Sequence, residues 1–277
     1  MKLIDFDGLF DEKLAVYMEE NKDKYTERQW EDVIPRLYQK FGDTYVAKVK
    51  CTPKEYYARM TDSELADTLL AHLKEEVPVP EFLCNEIEDR GNIEPLLPLL
   101  NSKDSQTVSY AGNMILADRR AYGVYLTLLR EGELDGDVLD DIVDILKSDA
   151  DSVKEDALSL YKEGKGVEYA LEILSRVKER SDEVYEILLK EFLCAEEQTP
   201  MRASYLAAYG DDRALPHLLD RIEDRTIGFV EFQELKYAIE ALGGEYDEPR
   251  DFSDDKDYLA DEDAGRRAAL KTDEVKS

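Results

Sequence analysis

The sequence predicts a soluble, essentially all-helical protein whose C-terminal two-thirds form a curved stack of paired helices. Three observations lead to this fold class. Charged residues make up 36% of the 277-residue chain and hydrophobic residues 43%, whereas glycine and proline number only 14 and 9. Apolar residues recur at the i, i+3, i+4, i+7 spacing of an amphipathic helix. Several such segments open with Thr or Ser followed three residues later by Glu or Gln, the capping-box signature of a helix start.

Five helices are predicted in the N-terminal region, residues 1–90. The first is expected over residues 10–21. Thr26 opens the second, because its hydroxyl accepts a hydrogen bond from the first turn and Gln29 returns one. An apolar stripe then continues to Gly42, where this helix is expected to end.

Prolines and further capping boxes place the other N-terminal elements. Pro35 lies inside the second helix and predicts a kink there. Residues 44–50 are the only stretch interpreted as a strand. Thr52 and Thr61, each with a glutamate three residues later, open the third and fourth helices, and a fifth is expected over residues 81–89.

Short helices alternate with polar turns through residues 91–244. One is expected over Ile93–Leu100, and a later one begins at a capping box of Ser152 and Glu155. The last ends at Gly243-Gly244, since glycine adopts the left-handed conformation that closes a helix. One amphipathic pair cannot bury its apolar face alone, so successive pairs are expected to stack around a continuous core. A compact helical bundle is the alternative.

Two segments share a pattern of apolar, glycine and aspartate positions. The pattern comprises Ala203, Leu206, Gly210-Asp211, Arg213 to Pro216, Leu218-Leu219, Ala238 and Ala241 to Gly243 in one segment, and Leu96 to Leu100, Val108, Ala111 and Leu116 to Asp118 in the other. Both segments resemble HEAT-like repeats of the kind found in relatives of phycocyanobilin lyases. The resemblance implies a right-handed α-solenoid of stacked antiparallel helix pairs over residues 91–244, preceded by the helical N-terminal region. Such repeats serve many unrelated functions, so the resemblance transfers no catalytic residue.

Residues 245–277 are predicted to form an acidic, mobile C-terminal tail. Apolar anchors become sparse there while Asp and Glu stay frequent, so the segment lacks the surface needed to fold by itself. A short helix over residues 260–271 and docking of the tail on a basic partner are alternatives to a solvated terminus.

The net charge of −29 restricts the classes of partner. Nucleic-acid binding requires Lys and Arg that displace counterions from phosphates, so no direct nucleic-acid binding is expected. The charge serves either solubility or the recognition of a basic partner. No run of about 18 apolar residues occurs, so no membrane span is expected. The N-terminus turns acidic at once, which does not fit a signal peptide, and a cytoplasmic location is expected.

Cysteine and histidine form no metal-binding or catalytic pattern. The three widely spaced cysteines make neither a disulfide framework nor a zinc motif. Cys84 and Cys194 lie inside apolar runs and are expected to be buried, inert thiols. The two histidines, His72 and His217, lack partners at metal-ligand spacing and are interpreted as surface or half-buried structural residues.

Carboxylates are abundant enough for clusters to arise by chance. Asp137, Asp141 and Asp144 share one predicted helix face with Asp140 beside them, and residues 149–154 begin like a calcium loop without its glycine. Neither is interpreted as a metal site. No phosphate-binding loop, dinucleotide fingerprint or nucleophile elbow is present. The sequence therefore predicts no cofactor and no catalytic, cofactor-binding or metal residue, and leaves the partner-binding residues unknown.

These observations favour a non-catalytic protein–protein interaction or scaffold protein that presents a helical-repeat surface to a basic partner. Two alternatives stay open. One is an enzyme or assembly factor that acts on a bound protein, as the lyase resemblance implies, and it requires a pocket with convergent polar groups. The other is an acidic mimic of nucleic acid that blocks a nucleic-acid-binding protein.

Overall fold

The computed structural model describes residues 3–195 and 198–260, which fold mainly as helices. This part of the chain contains no strand, and an isolated antiparallel bridge joins Val46 to Cys51. None of its helices combines the length and the apolar character that crossing a bilayer requires. Residues 261–277, with most of the helix predicted over 260–271, lie outside the described residues.

The chain divides into two compact units. The N-terminal unit comprises Met1–Leu128 with Gly132–Ile142, and the C-terminal unit comprises Leu129–Glu131 with Val143–Ser277. The helix bounds are α1 Phe6–Glu20, α2 Glu27–Gly42, α3 Pro53–Ala58, α4 Asp62–Lys74, α5 Glu81–Arg90, α6 Ser105–Ile115, α7 Tyr122–Glu131, α8 Gly136–Lys147, α9 Ala150–Glu163, α10 Val167–Leu174, α11 Asp182–Leu193, α12 Thr199–Tyr209, α13 Leu215–Ile222 and α14 Phe229–Ala241, with 3₁₀ helices at Leu97–Asn101 and Asp212–Ala214. The predicted all-helical class is confirmed. The solenoid arrangement and the division at residues 90 and 244 stay predictions.

Three capping boxes start α2, α3 and α4, as the sequence predicts. In α4 the Thr61 hydroxyl accepts the backbone N–H of Glu64 at 3.3 Å, and the Glu64 carboxylate accepts the N–H of Thr61 at 2.8 Å. Thr26 and Thr52 make the same reciprocal bonds with the residues three positions later. These bonds satisfy N–H groups that the first helical turn leaves without a partner. Pro35 lies within α2, which continues through it.

The strand predicted over residues 44–50 is wrong. This stretch forms turns, in which the Val46 N–H donates to the Cys51 carbonyl at 3.0 Å. Lys50 has a left-handed φ of 57°, which reverses the chain before a ladder can form.

Two helix predictions over residues 91–244 also need correction. Over Ile93–Leu100 the chain forms a turn and then a 3₁₀ helix, because its two prolines supply no N–H for an α-helical bond. Helix α9 begins earlier than predicted, after Asp149. Ser152 therefore lies inside the helix and does not cap it, and its hydroxyl donates to the Asp149 carboxylate at 2.8 Å.

An aromatic core joins the first helices of the N-terminal unit. Phe6 of α1 is fully buried and meets Tyr56 and Tyr57 of α3 edge-on, with ring centroids 5.5 and 5.7 Å apart. Tyr38 of α2 stacks on Phe82 of α5 at 4.6 Å. Such ring pairs add about 0.5–1.5 kcal/mol each beyond their buried area, so they fix the mutual positions of these helices.

The C-terminal unit packs α12 against both α11 and α14. Its last helix ends as predicted: Gly243 has a φ of 83°, and the Gly244 N–H donates to the Ile239 carbonyl at 2.9 Å. This is a Schellman closure, which needs a residue that tolerates positive φ.

Part of the predicted tail packs against α14. Phe252 and Tyr258 meet Phe229 with ring centroids 5.5 and 5.2 Å apart. The Asp255 carboxylate accepts the Phe229 backbone N–H at 3.0 Å and so caps the first turn of α14. Aromatic contacts therefore anchor Phe252 and Tyr258 on α14. In the sequence these aromatic residues stand far apart, so their spacing does not indicate the contacts.

Candidate functional site: a cavity beside a strained turn

A cavity of about 280 Å³ lies in the N-terminal unit where α5 and α6 end. Its polar lining residues are Glu88, Asn92 and Asn113. The apolar lining is formed by Ile87, Ile93, Leu96, Met114 and Leu116. A mostly apolar, concave surface with a few polar groups is the usual form of a binding site.

The floor of the cavity is held by the turn after α5. Gly91 closes that helix with a left-handed φ of 62°. The guanidinium of Arg90 donates to the Asp62 carboxylate at 2.9 Å and to the Met60 carbonyl at 2.7 Å. The Asn92 side-chain amide donates to the same Asp62 carboxylate at 2.6 Å. These bonds fix the turn against the start of α4, so the cavity wall is pre-formed.

Leu116, at the rim, has a strained backbone. Its φ is 51° and its ψ is −140°, a conformation that residues with a Cβ rarely adopt. Holding a residue in such a conformation costs about 1–3 kcal/mol of stability, and the conformation persists only when the surrounding structure imposes it. The side chain is nevertheless 56% exposed, so burial of the leucine does not offset the strain.

Three side chains impose the conformation of the 116–121 turn. The hydroxyl of Tyr125 donates to the Leu116 carbonyl at 3.3 Å, and that of Tyr122 donates to the Ala117 carbonyl at 3.1 Å. The Arg120 guanidinium donates to both oxygens of Asp118, at 2.9 and 2.8 Å. These bonds tie the turn to itself and to the following helix.

The same arginine also ties the turn to the segment before α6. Its second terminal nitrogen donates to the Glu94 carboxylate at 2.6 Å. We call this arrangement of Glu94, Asp118 and Arg120 the arginine clasp. Its hydrogen bonds lower the pKa of Asp118 to about 2, so that carboxylate stays charged and bound to the arginine at neutral pH.

A second arginine clasp occurs in the C-terminal unit. Arg213 donates to both oxygens of Asp211, at 3.0 and 2.7 Å, and to the Asp182 carboxylate at 2.8 Å. In both clasps the arginine lies two residues after the aspartate that it binds through two nitrogens. In the second, the residue with positive φ is Gly210, directly before the aspartate. The first turn is one residue longer and places positive φ on Leu116, so a clasp does not require a strained leucine.

The lining of the cavity combines apolar side chains with one carboxylate and two amides. Its lining residues include no histidine, cysteine, serine or lysine in the part of the chain that the structure describes. Leu116 and Met114 offer an apolar wall, and Glu88 offers a carboxylate close to it. A long side chain with an aliphatic stem and a cationic head, such as lysine or arginine, is chemically complementary to a lining of this kind.

Several groups whose pKa values are raised by burial lie elsewhere in the same unit. Burial raises the pKa values of Asp7, Tyr38 and Tyr57, and raises that of the Cys84 thiol to about 11. The Tyr38 hydroxyl donates to the Asp7 carboxylate at 2.6 Å. His72 is fully buried, and neither of its ring nitrogens has a hydrogen-bond partner among the described residues. We call these five residues the buried cluster; none of them lines the cavity.

Several individual predictions are corrected by these positions. His72 is fully buried and not at the surface or half-buried, while His217 is half-buried as predicted. Cys84 is half-buried, and Cys194 is exposed because it follows the last residue of α11. Cys51 is buried.

The predicted aspartate face is present on α8. Asp137, Asp140, Asp141 and Asp144 are all exposed, and Asp144 pairs with Lys147 at 2.5 Å. Asp151 instead accepts two backbone N–H groups, those of residues 178 and 179, each at 2.9 Å. Within the described ranges, no group of three or more His, Cys, Asp or Glu side chains is arranged to hold a metal ion.

The sequence did not indicate the cavity. A signal existed, however, in the two matching Asp-x-Arg triplets at Asp118 and Asp211. Aligned on these triplets, the first turn has one residue more between its helix and the aspartate, which marks Leu116 as unusual. Comparison with protein-family models, curated proteins and solved structures gives no match for this chain.

Proposed function

We propose that this protein is a non-catalytic interaction protein with HEAT-like repeats, and that it binds a basic segment of a partner protein at the cavity beside Leu116. The observation that carries the proposal is an exposed leucine held in a strained conformation at the rim of a pre-formed cavity. Backbone strain that neighbouring hydrogen bonds maintain, at a residue whose side chain is not buried, is typical of positions that contact a ligand. The two arginine clasps support the assignment to a repeat family.

Charge supports a basic partner. Glu88 lines the cavity, and the chain carries 65 Asp and Glu against 36 Lys and Arg. On α8, Asp137, Asp140 and Asp141 have no cationic partner among the described residues. Complementary charge of this kind accelerates encounter with a basic segment and disfavours acidic ones, while the apolar wall of the cavity supplies affinity.

The alternative of an enzyme or assembly factor receives less support. Acid–base chemistry requires titratable groups within hydrogen-bond reach of a bound substrate. Burial raises the pKa values of Asp7 and Cys84 in the buried cluster, but these residues do not line the cavity. A nucleic-acid mimic also prefers basic partners. Competition of DNA or RNA for the captured partner distinguishes this alternative from the first proposal.

The test is an affinity capture from cell extract with the intact chain and two variants. Leu116→Asp places a charge in the cavity rim. Leu193→Asp is the matched control, because Leu193 is 58% exposed and Leu116 is 56% exposed. Captured proteins are identified at about 0.1 M salt and again at severalfold higher salt, since screening weakens exposed charge contacts more than apolar ones.

We expect a small set of proteins that the intact chain and Leu193→Asp retain at high salt and that Leu116→Asp loses. Equal retention by all three chains would contradict the proposal, and displacement of the partner by added DNA or RNA would favour the mimic. Leu116→Gly separates strain from contact. It should raise the free energy of unfolding by up to about 1 kcal/mol, because glycine tolerates positive φ, and still weaken capture.

A further inference from the structure

The groove between α1 and α2 is a second exposed apolar surface of the N-terminal unit. It encloses about 190 Å³, and its apolar lining consists of Phe10, Leu14, Tyr17, Leu37 and Phe41. A cavity of about 150 Å³ accommodates a benzene-sized group, so one large apolar side chain fits here. Leu14, Tyr17 and Leu37 are only half-buried, and the groove therefore leaves apolar surface in contact with solvent.

The charge at this groove is opposite to that of the chain as a whole. Lys13 of α1 and Lys40 of α2 line it, and both are exposed. The Lys13 ammonium lies 5.0 Å from the centre of the Phe41 ring, which places a cation directly over the apolar wall. Neither lysine has a carboxylate partner among the described residues.

The first 60 residues together carry little of the chain's net charge, although α1 and α2 themselves hold eight Asp and Glu against four Lys and Arg, so the local excess of positive charge is confined to the lining of the groove. Residues 1–60 contain 11 Lys and Arg against 12 Asp and Glu, a net charge of −1, so residues 61–277 carry −28 of the total −29. Arg36, one turn before Lys40 on α2, is a further exposed cation without a carboxylate partner among the described residues.

We propose that the α1–α2 groove binds an amphipathic helix of a partner protein that carries acidic residues beside its apolar anchors. An apolar helix face fills such a groove through residues spaced i, i+3 or i+4, and adjacent carboxylates reach the cations at the rim. The carboxylates of the partner pair with Lys13 and Lys40, and one large apolar anchor enters between Leu14 and Leu37. An anionic membrane is a poorer match, because a charge of −28 on the rest of the chain repels an extended anionic surface.

This site differs from the cavity beside Leu116 in both partner charge and lining residues. A basic segment is the proposed ligand there, and an acidic helix is the proposed ligand here. Binding of both would make the protein a bridge between two partners of opposite charge, and each site is tested separately.

The test uses a labelled peptide of about 18 residues with leucines at i, i+3, i+4 and i+7 and glutamates beside them, long enough to form a helix. Its binding to the full chain is followed by fluorescence anisotropy. The variant Lys13→Glu with Lys40→Glu should weaken binding by about tenfold, because two exposed charge contacts become repulsive. The matched control, Lys165→Glu with Lys178→Glu, changes the net charge equally and should bind within about twofold of the original chain.

A second variant addresses the apolar wall without changing charge. Leu14→Asn should weaken binding of the peptide by about tenfold. Circular dichroism of the variant should show the same helix content as the original chain. The proposal is overturned if the acidic peptide does not bind, if both lysine pairs weaken binding equally, or if anionic phospholipid vesicles bind and the peptide does not. The Leu116→Asp variant should bind the peptide normally, which keeps failure here distinct from failure at the other cavity.

Discussion

Asp7 illustrates how a single side chain in the buried cluster couples stability to pH. Burial raises its pKa, although the hydrogen bond from Tyr38 partly opposes the shift. The folded state therefore holds the Asp7 proton more tightly than the unfolded state. The stability that this group contributes is fully present below the unfolded pKa and is lost as the pH rises through the folded pKa.

Comparing the original chain with Asp7→Asn between pH 4 and pH 7 tests this coupling. The asparagine keeps an oxygen acceptor for Tyr38 but does not titrate. We expect the free energy of unfolding of the original chain, relative to the variant, to fall as the pH rises. Urea unfolding at each pH measures it.

Asp118→Asn provides a comparison of opposite sign. The Arg120 hydrogen bonds lower the pKa of Asp118 to about 2, so its contribution is present above the unfolded pKa and is lost as the pH falls. The original chain should therefore gain stability relative to Asp118→Asn as the pH rises. Parallel pH dependence of the two variants would contradict the assignment of both shifts.

Residue-scale features were the least accessible to sequence reasoning. The positive φ of Leu116 depends on bonds from Tyr122 and Tyr125, which tertiary packing brings to the turn. The burial of His72 likewise depends on packing of the surrounding helices around α4. Neither the dihedral angle nor the burial leaves a local pattern in the chain.

Local hydrogen bonds explain which elements the sequence predicted well. The capping boxes at Thr26, Thr52 and Thr61 join residues three positions apart, so the local spacing of residue types suffices to place them. Ser152 shows the limit of the rule. Helix α9 begins at Ala150, two residues before Ser152, so that serine already lies inside the helix.

This contrast gives a prediction at the level of the helix. Thr61→Ala removes the hydroxyl that caps α4 and should lower the free energy of unfolding by about 1 kcal/mol. Ser152→Ala is the matched control, because that residue lies inside α9 and alanine favours helix. Its expected effect is within about 0.5 kcal/mol of zero. Urea unfolding compares both, and a larger loss in Ser152→Ala would show that Ser152 does cap its helix.

Elements with backbone constraints account for the errors. The prolines of the Ile93–Leu100 segment remove donors that an α-helix needs, and a 3₁₀ helix results. The apolar residues after α2 alternate as in a strand, yet no neighbouring strand exists in the described chain to pair with them. In both places the hydrophobic spacing indicates an element that the hydrogen-bond partners of the backbone do not allow.

For the whole molecule, charge and helical content follow from composition, whereas the division into units does not. Periodicity predicts the helices, but the packing of each helix depends on residues far apart in sequence. The anchoring of Phe252 and Tyr258 on Phe229 is an example, since these contacts join positions more than a helix length apart. The proximity of Lys13 and Lys40 is a further example, because the two lysines lie on different helices that line one groove.

The net charge of −29 determines how salt should change the thermal stability of the whole chain. Two effects of salt oppose each other: screening weakens the attractive ion pairs, and it also weakens repulsion among unpaired carboxylates. Most of the ion pairs between described residues have at least one exposed partner and contribute about 0–1 kcal/mol each. Because 65 acidic residues exceed 36 basic ones, relief of repulsion should dominate. Raising sodium chloride from about 0.02 M to 0.2 M should raise the melting temperature by several degrees. Choline chloride at equal ionic strength should give the same rise if screening is the cause, and a fall in either salt would show that the ion pairs outweigh the repulsion.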